Sequence, residues 1–160
     1  MPVPTVYSRT QIVLHWVMFV LIAAQFVLHD GIKAAWRAIE QGTPAPAFDL
    51  TVPLHVFGGI AVLALVVWRL ILRARRGVVP PPAGMSAGQQ RLAGAIHLGL
   101  YAVTAVMVVT GGAAWFGGVN VAAEVHETLR VALLGLIALH VAAALWHQFW
   151  LRDNLMARMR

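Results

Sequence analysis

The sequence predicts an all-α integral membrane protein: a four-helix bundle with both termini cytoplasmic, formed by residues 1–160 as one domain. Three observations carry that expectation. Only 11% of the 160 residues are charged and 60% are hydrophobic, with a mean hydropathy of +0.76; a soluble domain is about 25% charged. Four stretches free of charge, Ile12 to Leu28, Val52 to Trp68, Leu92 to Trp115 and Val131 to Leu151, each match the length at which a helix crosses about 30 Å of hydrocarbon. Basic residues are also divided unevenly between the connections. With a cytoplasmic N-terminus, Arg9, Arg69, Arg73, Arg75, Arg76, Arg91, Arg152, Arg158 and Arg160 fall inside, and only Lys33, Arg37 and Arg130 fall outside. That is the positive-inside bias. It explains the net charge of +6 as a topology signal and excludes a nucleic-acid footprint.

The elements follow in order. The first helix is expected to start near Tyr7–Ser8, with Ser8 as N-cap, and to end near Gly31. Its apolar run is long and is followed by His29, Asp30 and Lys33, so it reads as a retained span, not a cleaved signal peptide. The connection to Thr51 holds a short amphipathic piece, Ile32 to Ile39, broken by Gly42-Thr43-Pro44-Ala45-Pro46. Pro53 opens the second helix at a position that suits proline, and that helix runs to about Arg75. Gly77 to Gly84, with three consecutive prolines, is a stiff linker. The third helix begins at Ser86 or Ala87 and is expected to stop at Gly111-Gly112, leaving Trp115-Phe116-Gly117-Gly118 as an aromatic turn at the outer interface. The fourth begins near Val121 to Glu124 and runs to Arg152. Gly58-Gly59, Gly94 and Gly99 permit close approach of helices or of a flat ligand.

No cysteine is present, which excludes disulfides, iron–sulfur clusters and covalently attached c-type haem. Any metal must be held by histidine or carboxylate. Ionisable side chains inside a membrane are costly and mark functional sites, and the chain has seven histidines. His126 and His140 are fourteen residues apart, so both lie on one helix face about 21 Å apart along the axis. By depth, His55 pairs with His126 near the outer face and His15 with His140 nearer the cytoplasm. Two neutral imidazoles at matched depth on different helices suit a bis-histidine haem, so the set predicts two stacked b-type haems and electrons crossing the membrane. His147 competes with His140 for the cytoplasmic position, although seven residues, about 10.5 Å of rise, crowd two haems together. Packing or interhelical hydrogen bonding is the ordinary role of a single membrane histidine. His29 reads as a solvated interface residue; His97 and His147 read as proton-relay or quinone-site groups. Arg69 follows His55 by fourteen and sits at the cytoplasmic level. It is placed either to bond a haem propionate or to snorkel to the headgroups. Lys33, Arg37 and Arg130 either solvate the outer loops or draw in a small anion.

The residues Tyr7-Ser8-Arg9-Thr10-Gln11-Ile12-Val13-Leu14-His15-Trp16, Leu54-His55-Val56 with Gly58-Gly59, His126-Glu127-Thr128-Leu129, and Leu139-His140 through Trp146-His147 to Arg152-Asp153-Asn154 together resemble the bacterial cytochrome b561 family, over Tyr7 to about Met159. The resemblance implies a multi-pass bacterial inner-membrane protein with two non-covalent haem b groups, ligated axially by His15, His55, His126 and His140. It further implies electron transfer from superoxide, or from a periplasmic redox protein, to ubiquinone, with Ser8, His147 and Trp150 as quinone contacts and His97 a further candidate there. Related cytochromes serve as membrane subunits of hydrogenases and formate dehydrogenases, so an electron-transfer subunit is the alternative reading. A haem-free transporter using histidines as proton carriers, or a plain membrane anchor, would not need histidines matched in depth. The doubled histidine common at the end of the family's fourth helix is His147-Gln148 here. The outer loop from Trp115 to Glu124 is also short.

Overall fold

A computed structural model describes residues 6–44, 46–82 and 84–159. Ala45, Ala83 and Arg160, which the sequence reading placed in the two linkers and among the cytoplasmic basic residues, lie outside that description. The described residues form five α-helices and no strands: α1 (Arg9–Val27), α2 (Asp30–Gln41), α3 (Thr51–Arg76), α4 (Ala87–Gly117) and α5 (Asn120–Trp146). A π-helical turn, His147–Leu151, and a 3-10 turn, Leu155–Met159, complete the chain. The helices α1, α3, α4 and α5 are long and apolar enough to cross a membrane.

Local chemistry fixes the helix ends. Ser8 caps α1 reciprocally: its hydroxyl oxygen accepts from the Gln11 N–H at 3.3 Å, and the Gln11 side-chain oxygen accepts from the Ser8 N–H at 3.0 Å. Ser86 and Gln89 repeat the device at α4, each box supplying partners for N–H groups the helix leaves open. Gly42 and Gly118, with φ of 60° and 65°, end α2 and α4 in the left-handed conformation that glycine adopts without a steric penalty.

Several expected boundaries are corrected. The first span ends at Val27, not Gly31, and α2 begins at Asp30, so the amphipathic piece is longer than the sequence implied. The third span does not stop at Gly111-Gly112; α4 runs through both to Gly117, placing Trp115 and Phe116 in a helical turn. Two glycines cost about 2 kcal/mol in a helix relative to alanine, but hydrocarbon offers an unpaired backbone no alternative partner. The last span keeps α-helical geometry only to Trp146.

α5 packs along α4, α3 packs on both α1 and α4, and α2 rests on α3. α5 has little close backbone approach to α1 or α3, and that separation leaves space inside the bundle. The shared core is small: Leu14, Val62, Val66, Ile96, Thr104, Ala114 and Leu133 are buried, whereas Phe57 and Leu98 are 67% and 69% exposed. A surface of large exposed apolar side chains is what a lipid solvent stabilises. Alternating helix direction puts the start of α1, the 3-10 turn and the prolines of the second linker at one end, the tail face, and α2 at the other, the α2 face. At the tail face the Trp16 Nε1–H donates to the Met159 carbonyl at 2.9 Å, and the Arg158 guanidinium donates to the Pro80 carbonyl at 2.6 Å.

Candidate cofactor sites

Histidine rings meet at two levels of the bundle. Towards the α2 face, His55 in the first turns of α3 and His126 early in α5 have ring centroids 6.3 Å apart. Towards the tail face, His15 of α1 and His140 of α5 have centroids 6.2 Å apart. α5 thus contributes one imidazole to each level. A metal ion between two imidazole nitrogens, with bonds of about 2 Å and ring centres about 1.1 Å beyond each nitrogen, requires a centroid spacing of about 6.2 Å. Both pairs have that spacing. Among the described residues no group of three or more His, Cys, Asp or Glu side chains is placed to hold a bare ion. Two imidazoles at that spacing suit a metal whose remaining ligands come from a macrocycle.

The α2-face pair is held from outside. The His126 Nδ1–H donates to the Met107 carbonyl of α4 at 2.7 Å, which leaves Nε2 free; a bonded second nitrogen is how metal-binding histidines are oriented. The His55 Nδ1 is buried without a partner. Both rings line a cavity of about 520 Å³, together with Gly59, Gly111, Gly112 and Thr104 on its helix walls. A Cβ on Gly59 or Gly112 would meet nothing within 4 Å, so these glycines leave flat open wall. Gly58 serves a different need: its missing side chain makes room for Gln25 of α1. Gly99 lets α4 approach Leu136 of α5, where a Cβ would be 3.3 Å away.

Lys33, Trp36 and Arg37 of α2 also line the cavity, together with Arg130 and His29. Arg130 donates to Glu127 at 3.3 Å and lies 3.4 Å from the His29 Nε2, while the His29 Nδ1–H donates to the Phe26 carbonyl at 2.9 Å. His29 is therefore part of the cavity wall and not the freely solvated residue the sequence suggested. Nothing local signals this pairing, which joins residues 101 apart in the chain.

At the tail-face level His140 also meets His97 of α4, with centroids 5.0 Å apart, too close for a metal between them. The His97 Nδ1–H donates to the Ala93 carbonyl at 2.7 Å. The Arg69 Nε–H donates to the Tyr101 hydroxyl at 3.4 Å, and its Nη1 is buried without a partner. A buried guanidinium nitrogen with an open N–H calls for an acceptor, and a carboxylate of a bound group would supply one. The expected quinone contacts are not gathered into one pocket. The Ser8 hydroxyl is engaged in its capping box. His147, 7% exposed, donates from Nδ1 to Asp153 at 2.5 Å. Trp150 stacks on Trp146, with centroids 5.0 Å apart, and is 72% exposed.

Comparison with known proteins agrees with this architecture. A relative named cytochrome b562, from Cereibacter sphaeroides, is 35% identical over 154 residues, covering 96% of this chain and 94% of its own. Cytochrome b561 homolog 1 of Escherichia coli K12 is 29% identical, covering 96% of each chain. A protein named probable superoxide oxidase CybB, from Yersinia pestis, is 30% identical over 96% of this chain and 94% of its own. The family profile described as prokaryotic cytochrome b561 matches residues 6–160. The chain belongs to the prokaryotic cytochrome b561 family and is a multi-pass membrane cytochrome of the kind that binds b-type haem.

Proposed function

We propose that the protein holds two haem b groups and carries single electrons from superoxide at the α2 face to ubiquinone at the tail face. The observation that carries this reading is the duplicate pairing of imidazoles, 6.3 and 6.2 Å apart at two levels, with α5 supplying one ring to each. His55 and His126 hold one haem; His15 and His140 hold the other, with Arg69 bonding a propionate. Bound haem iron supplies the one-electron redox chemistry. The nine-to-three division of basic residues supports cytoplasmic termini in a bacterial inner membrane, with the α2 face periplasmic.

The protein's own groups do the remaining work. Lys33, Arg37 and Arg130 around the α2-face cavity raise the local concentration of a small anion. Trp36, Trp115 and Phe116 wall the same cavity and limit water. Two superoxide anions each lose one electron and leave as dioxygen; one ubiquinone gains both electrons and takes two protons to become ubiquinol. Towards the tail face, the His147–Asp153 pair is a suitable proton relay for that uptake, with Ser8, His97 and Trp150 as further candidates. The name of the Yersinia relative supports the choice of superoxide as donor.

Stopped-flow mixing of the purified, oxidised protein with superoxide tests the proposal. Rapid appearance of the reduced b-haem spectrum, with reoxidation on adding a ubiquinone analogue, is expected. A protein that superoxide leaves oxidised, but that a co-purifying dehydrogenase reduces, would be an electron-transfer subunit instead.

A further inference from the structure

We propose that Gly111 is a positioning residue: it lets the His126 ring lie against α4 and bond the Met107 carbonyl, and thereby holds the α2-face haem at a lower potential than the tail-face haem. The inference rests on the reading of His126 as an axial ligand. It adds a reason for electrons to run in one direction.

The geometry is specific. A Cβ on Gly111 would stand 2.8 Å from the His126 Nδ1 and 2.9 Å from Cε1, closer than a carbon can come to that ring. The ring occupies the space because glycine leaves it empty. From there its Nδ1–H reaches the Met107 carbonyl at 2.7 Å, one turn before Gly111 on the same helix. The Thr110 hydroxyl shares that carbonyl at 3.0 Å and the Val106 carbonyl at 2.9 Å. Gly111 is the one place in the described part of α4 where a missing side chain is filled by a histidine of another helix.

An imidazole whose N–H is bonded to a carbonyl donates more electron density through its other nitrogen. That favours the oxidised iron and lowers the potential. The tail-face pair differs. Among the described residues neither His15 nor His140 has a hydrogen-bond partner, and the half-buried Arg69 lies within electrostatic reach of both. A nearby cation favours the reduced state. Lys33, Arg37 and Arg130 around the α2-face cavity pull the other way, so the His126 bond and Arg69 together must outweigh them for an electron entering at the α2 face to move on to the tail face.

Redox titration of the holoprotein in detergent, read optically with haem quantification, tests this. Wild type should show two midpoints, and H126A should retain only the higher one; retention of the lower one would overturn the assignment. Gly111→Ala should keep both haems while the lower midpoint rises and the higher one stays. The rise should be about tenfold in the equilibrium constant, about 59 mV for one electron. Gly135→Ala, in α5 where a Cβ meets nothing within 4 Å, should move neither. Unchanged midpoints in a G111A protein with both haems would overturn the proposal, as would equal shifts of both. If G111A holds only one haem, Thr110→Val decides. Removing the competing donor should strengthen the His126 bond and lower the α2-face midpoint further, and no shift in T110V would refute the role. Haem content in these proteins reports on ligation separately, so loss of the proposed function and loss of this inference are distinguishable.

Discussion

At the scale of single residues, the roles assigned to the histidines are separable by mutation. His126→Ala should remove the α2-face haem and leave the other, halving the haem recovered per chain in a pyridine haemochrome assay. An unchanged haem content would remove His126 from the ligand set. The pairings themselves were legible in the sequence because helical rise and depth are arithmetic: fourteen residues along α5 align two rings, and facing helices place His55 and His15 at matching levels. The supporting contacts were not legible. The acceptor for His126 is a backbone carbonyl, which no residue type advertises, and Gly111 looked like a helix terminator until the ring beside it was seen. Arg130 and His29 likewise come together only through the packing of α1 against its neighbours.

At the scale of elements, the junction between α2 and α3 is held by a turn with a pH signature. The Asp49 carboxylate accepts from the Thr51 N–H and from the Thr51 hydroxyl, both at 2.8 Å. These bonds favour the ionised form and hold its pKa below the usual carboxylate value. Gly31 of α2 packs so closely here that a Cβ would overlap Thr51 and Asp49. A depressed carboxylate pKa contributes stability that is present above the ordinary value and lost as pH falls through the lowered one. Asp49→Ala should therefore unfold at a lower temperature than wild type at pH 7, with the difference closing as pH falls below the ordinary carboxylate range. A difference independent of pH would mean that the turn does not depend on the ionised carboxylate.

The four spans were readable as elements because charge is expelled from each over a membrane thickness. Their ends were less readable. A glycine pair that would stop a soluble helix does not stop α4, since backbone groups in hydrocarbon keep their helical partners. The change to π geometry at His147 is accompanied by bonds to Asp153, six residues on. The His147 carbonyl accepts from the Asp153 N–H at 3.3 Å, and Asp153 in turn accepts from the His147 ring. Arg152 and Asn154 adopt left-handed conformations, with φ of 53° and 55°.

At the scale of the whole molecule, the bundle is built around space instead of a continuous core. Few side chains are buried, α5 stands apart from α1 and α3, and a cavity of about 520 Å³ opens beside one pair of imidazoles. Packing alone gives little reason for α5 to keep its distance; two flat groups held between imidazoles would bridge the gap and add apolar contact on both faces. The most direct test is a reduced-minus-oxidised spectrum with haem quantification on protein purified from haem-replete cells. Two b-type haems per chain, both low-spin, is the expected result. A colourless protein, or one haem per chain with all four histidines intact, would contradict the account.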